Sequence, residues 1–141
     1  MGGGAETALP LYVTTTTGTD VTLDVTFEPA SSAPTNETCG TAEPLALEVP
    51  TEIEIVDAAV DLTTECIALT GELVYLVTLT TDSDLDIYAV SLDGDGLPTI
   101  SLRSAACALA EDEIACHTAP SAHVFRHALP AGDYYLAVSA T

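Results

Sequence analysis

Residues 71–103 read GELVYLVTLTTDSDLDIYAVSLDGDGLPTISLR, and the spacing of the apolar residues in this stretch decides the fold class. Leu73, Tyr75, Val77 and Leu79 take every second position, which puts them on one face of an extended strand. Leu85, Ile87, Ala89 and Ser91 repeat that period after a turn, with Asp84, Asp86 and Tyr88 on the opposite face. Asp93-Gly94-Asp95-Gly96 contains two Asp-Gly turn dipeptides, and Pro98 to Leu102 opens a third strand. The stretch reads as an antiparallel meander with one buried face.

Outward from this centre the period of two recurs. In residues 20–27, Val21, Leu23, Val25 and Phe27 alternate strictly with Asp and Thr, the purest strand pattern in the chain. Leu45, Leu47 and Val49, then Ile53 and Ile55 with Ala58 and Val60 beyond, predict two further strands around Pro50. Residues 107–116 read as a loop or hairpin. On the C-terminal side Val124, Arg126 and Ala128 alternate with His123, Phe125 and His127, and a turn at residues 129–133 leads to a last strand over 134–139. No segment of a dozen residues carries a helical period. The expected class is all-β: an antiparallel, jelly-roll-like β-sandwich of about eight or nine short strands.

Hydrophobic residues make up 48 % of the 141, so the 22 acidic residues against two Arg and no Lys describe a folded domain with an acidic skin rather than a disordered chain. A formal charge of -20 leaves no basic patch for nucleic acid or an anionic membrane, and points to cations or basic surfaces as counterparts. No apolar run reaches the roughly 20 residues of a membrane span. Met1-Gly2-Gly3-Gly4 lacks the basic and apolar regions of a signal peptide, so the chain reads as mature material or as starting on an added leader.

Cys39, Cys66, Cys107 and Cys116 are even in number, without Cys-x-x-Cys spacing, which favours disulfides over zinc or a redox motif. Of the three connectivities, Cys39–Cys66 with Cys107–Cys116 is preferred because each joins sequence neighbours. Two disulfides imply an oxidising compartment and hence an extracellular or cell-surface location.

From Asn36 onward the chain resembles the bacterial pre-peptidase C-terminal (PPC) domain in its cysteine-containing tandem form. The residues that carry the likeness are Asn36-Glu37-Thr38-Cys39, Gly71-Glu72-Leu73-Val74-Tyr75, Pro98 to Arg103 with Cys107, Glu113-Ile114-Ala115-Cys116, and Leu129 to Val138. The resemblance implies a non-catalytic β-sandwich of a secreted protein, in some members calcium-binding. It also implies one more amphipathic strand after the last one present here. A segment of that kind stands instead at the N-terminus.

The resulting division is a donor-type strand segment over residues 1–28, a linker over 29–36 and a PPC-like sandwich over 37–141. Three readings remain open: Val21, Leu23, Val25 and Phe27 fill the groove of another copy, fold back into their own domain, or belong to an excerpt of a tandem array. The first makes a filament or surface array of copies. The groove is expected along the last strand, at Tyr135, Ala137 or their neighbours, and the central strands. The alternative function is a soluble calcium- or ligand-binding accessory module of a large secreted hydrolase or adhesin.

Asp82, Asp84, Asp86, Asp93 and Asp95 gather five carboxylates in two turns, which suits calcium by ligand type, although Asp and Gly also simply form turns. His123 and His127 stand about 13 Å apart at strand rise, too far to share an ion. No Ser, His and Asp set, Gly-x-Ser-x-Gly turn or phosphate loop occurs, so no enzymatic role is expected. Tyr75, Tyr88, Tyr134 and Tyr135 are read as core and rim, and Arg103 and Arg126 as structurally paired. Asn36-Glu37-Thr38 matches a glycosylation sequon.

Overall fold

The computed structural model describes residues 18, 22–26, 32–67, 70–92, 94 and 96–141. The chain divides into two compact units, Met1–Ala30 and Ser31–Thr141. In the first, residues 22–26 belong to no strand ladder, and Leu23 and Val25 are exposed. Val21 and Phe27 lie outside the described residues.

The second unit is nearly all β. Its strands are β1 (Glu43–Pro44), β2 (Glu72–Leu79), β3 (Ser83–Val90), β4 (Pro98–Arg103), β5 (Glu113–Thr118), β6 (Ser121–Leu129) and β7 (Gly132–Ala140). They form a five-stranded sheet in the order β1-β2-β7-β4-β5 and a two-stranded sheet of β3 and β6. All pairings are antiparallel except the short one between β1 and β2.

The alternation in β2 and β3 puts one set of side chains into the interior. Leu73, Tyr75, Val77 and Leu79 from β2, Ile100 and Leu102 from β4, and Leu136 and Val138 from β7 meet Leu85, Ala122 and Val124 from the smaller sheet in one buried cluster. This is a sandwich core, in which each fully buried Leu, Ile or Val contributes roughly 1.5–3 kcal/mol.

The central stretch is not a meander. β2 and β4 flank β7 in one sheet, while β3 crosses to the other and pairs with β6. Period two tells which face of a strand is buried but not which strand lies beside it. Nor is only one face buried. All six residues of β4 are buried, and on β2 Glu72 and Val74 are as inaccessible as the core face. Their cover is a second cluster of Leu62, Val74, Cys107 and Ala137 beneath the extended stretch 59–66.

The disulfides also differ from the sequence preference. Cys39 joins Cys107 and Cys66 joins Cys116, with Cα separations of 6.0 and 5.9 Å. Cys107 follows β4 and turns into the second cluster, fully buried, whereas Cys116 sits on β5 opposite Ser101. The two are therefore held on different elements, and each meets a cysteine from the segment before β2. Residues 107–116 are accordingly no self-closed hairpin, but a loop with a short 3-10 turn at Ala110–Asp112 leading into β5. The strands predicted over 45–60 are absent as ladders; β1 stops at Pro44, and residues 45–60 run on without strand assignment.

Candidate functional site

The two lateral margins of the sandwich are built differently. At one, β5 and β6 are joined by a tight turn and by side-chain bonds, with the Arg126 guanidinium donating to the Ile114 carbonyl at 2.8 Å and the His123 amide to His117 Nδ1 at 2.9 Å. At the other, β3 pairs with β6 alone and its second edge meets no strand among the described residues. Beside that edge lies a groove of about 1120 Å³.

The floor of the groove is the inner face of the large sheet, with Tyr75, Leu136 and Val138. Ile87, Ala89, Val90 and Leu92 form one wall, and residues 49–55 form the other. Val49, Tyr88, Val90 and Leu92 on its margin are more than half exposed, and exposed apolar side chains gathered in one place mark an interaction surface. Burial pushes the Tyr75 phenol above the ordinary tyrosine range. The polar rim is acidic, carrying Glu52 and Glu54.

The acceptor positions were expected at Tyr135, Ala137 or their neighbours on the last strand. Tyr135 and Ala137 face the second cluster, whereas their neighbours Leu136 and Val138 line the groove. The run Tyr134-Tyr135-Leu136-Ala137-Val138 is apolar throughout, so its period carries no sign of which set faces which side. The wall at Ile87 and Ala89 belongs to the apolar face of β3, one of the central strands along which the groove was expected.

The aspartates lie on a different surface. Asp82 Oδ1 accepts from the Ala131 amide at 2.9 Å, and Asp84 Oδ1 from the Ala128 amide at 2.8 Å. Asp84 also meets His127 Nδ1 at 2.7 Å, and Asp86 meets His123 Nε2 at 2.5 Å. Asp84 and Asp86 alternate along β3 and Asp82 stands just before it, so their carboxylates serve separate groups on β6 and the following turn. Asp93 and Asp95 lie outside the described residues. Among the described residues no three His, Cys, Asp or Glu side chains are placed to hold a metal ion. Tyr88 stacks on His123 with centroids 4.1 Å apart on this outer face, while Tyr75 and Tyr134 are buried.

Arg103 is buried completely. It donates to the carbonyls of Cys107 and Leu109 at 2.7 and 3.1 Å, to the Thr63 carbonyl, and to Ser101 Oγ, with the Glu113 carboxylate 3.9 Å away. Its role is structural. Asn36 of the sequon is buried too, its side-chain amide donating to the Val74 carbonyl at 3.3 Å while its main-chain carbonyl accepts from the Val74 amide at 2.7 Å.

Compared with known proteins, the chain matches no family model, no curated protein and no solved structure at a significant level. Among the described residues no helix is long and apolar enough to cross a membrane.

Proposed function

We propose that this chain is a non-catalytic structural module of the extracellular space, a jelly-roll-like sandwich of PPC type whose residues 20–27 fill the groove of another copy and so link copies into a filament or surface array. The observation that carries this reading is the edge of β3 that meets no strand among the described residues, beside an apolar groove. An edge of this kind presents idle amide and carbonyl groups and is a template for an added strand. Residues 20–27 have the matching period: one face of Val21, Leu23, Val25 and Phe27 for the floor, the other of Asp and Thr for water. Leu23 and Val25 are more than half exposed, so this segment carries apolar surface that still lacks a cover. Two disulfides support an oxidising location.

Asp20 and Asp24 on the segment and Glu52 and Glu54 on the rim repel one another, so assembly strengthens as salt rises. The decisive experiment is light scattering after size exclusion on the full chain, on a variant lacking residues 1–30, and on Val25→Asp with Phe27→Asp. Polymers formed by the full chain and lost in both variants support donation between copies. A uniform 14.5 kDa species from the full chain at all concentrations overturns it.

A further inference from the structure

The groove has two sides, and only one of them is a strand. Residues 51–56, TEIEIV, form most of the opposite wall and show strand character without a ladder. Ile53 and Ile55 are half-buried against the main core, while Glu52, Glu54 and Val56 are exposed, which is the alternation of a strand on a sandwich. Among the described residues, none of 46–58 makes a backbone–backbone hydrogen bond to the sheets; the nearest are Leu45 to Leu76 on one side and Ala59 to Glu72 on the other. The side chains of 51–56 are thus in register with the core, and what they lack is a neighbour.

We infer that residues 51–56 are a latent strand of the smaller sheet, completed only when a strand enters the groove. An inserted strand has two edges. One pairs with β3, and the other faces, across the groove, residues 51–56, whose amides and carbonyls make no backbone–backbone bond to the sheets among the described residues. The smaller sheet then gains two strands, the incoming one and 51–56, in the order β6, β3, incoming strand, 51–56. Both edges of the incoming strand are satisfied, and the uncovered margin of the sandwich closes. Pro50 marks the start of the latent strand, since it has no amide to contribute. This rests on the donation of residues 20–27 between copies and adds to it a partner segment on the accepting copy.

The test is hydrogen exchange by mass spectrometry on the full chain, comparing assembled and monomeric fractions. The expected result is slowed exchange in assemblies at both β3 and 51–56. Protection at β3 with 51–56 unchanged leaves strand donation standing and overturns the latent strand. Absence of assembly overturns both. Thr51→Pro and Glu54→Pro add a second readout, because their amides point to opposite edges of an extended segment and neither side chain is in the core. Whichever amide faces the groove, its loss raises the concentration for half-assembly roughly three- to tenfold, the worth of about one hydrogen bond. If neither substitution moves that concentration, 51–56 does not pair.

Discussion

Two consecutive segments outside the ladders, residues 46–58 and 59–66, run over opposite faces of the large sheet, and they are held in different ways. The second is fastened along its length. Ala59 bonds to the Glu72 amide and to Glu37, Asp61 and Leu62 donate to the Glu72 carboxylate at 2.8 and 2.6 Å, Thr63 accepts from Arg103, Glu65 donates to Glu113 at 3.0 Å, and Cys66 is bridged to Cys116. The first has its apolar side chains against the core but no ladder. An extended segment without a strand partner is fixed only where side chains take over the satisfaction of its backbone. Where they do not, the segment borders a slot, the one in which the proposed incoming strand would lie.

The largest expected contrast is covalent. Replacing Cys39 and Cys107 together by Ala removes a bridge across 68 residues on the fastened face, worth about 4 kcal/mol in the chain-entropy model. Urea unfolding of the oxidised variant checks this; a loss below about 1 kcal/mol would mean that the polar bonds alone hold that face. Next comes Gly71, which sits where the chain passes between the two segments. Its φ is +132°, and a Cβ there would stand 2.4 Å from the Ala58 carbonyl oxygen. Gly71→Ala is expected to cost about 2–3 kcal/mol, read from the same unfolding curves. On the unfastened segment the effect is smaller. Ile55→Ala removes a half-buried side chain with no ladder behind it, and about 1 kcal/mol is expected in the unassembled chain. A loss of 3 kcal/mol or more would show this margin to be as tightly built as the other.

Much of this contrast was invisible in the sequence. The apolar period located the strands of the central stretch, the His123–His127 face and the last strand, because a half-buried strand must alternate. It did not reveal neighbours, since faces and partners are independent properties of a strand. It also carried no sign that Thr99, Ser101 and Arg103 are buried as deeply as the core face. Thr99 is satisfied by Thr118, Ser101 by Glu113 and Arg103, and Arg103 in part by the Thr63 carbonyl, and no apolar period announces a face satisfied by hydrogen bonds. Ile53 and Ile55 failed in the opposite sense: the strand pattern is present and the ladder is not. The cysteine pairing went astray because nearness in sequence was taken for nearness in space. For the groove, the parity of Tyr135 and Ala137 against Leu136 and Val138 could not be chosen within a run of five apolar residues.

The last contrast concerns a single atom on the fastened face. Glu72 Oε1 takes two amides of the 59–66 segment, but Oε2 is buried without a partner, and so is the Oγ of Ser139, which stands directly opposite in the β2–β7 register. Burial raises the Glu72 carboxyl above its ordinary value of 4.5, against the pull of the Asp61 and Leu62 amides. The folded state therefore holds this proton more tightly than the unfolded chain, and from pH 4.5 upward stability falls as pH rises through the window between the two values. Below that window both states are protonated and the term vanishes. In Glu72→Gln the amide oxygen can keep both backbone bonds while its NH2 is free to donate toward Ser139 Oγ, across a pair spacing of about 5 Å between Cβ atoms. The variant should match the parent in acid and overtake it as pH rises, measured as the difference between unfolding free energies at each pH, so that the self-repulsion of the other carboxylates cancels. If the two curves stay parallel from pH 4 to pH 8, Glu72 is not the source of the slope, and the segment it fastens owes its hold to Arg103, Glu113 and the disulfide instead.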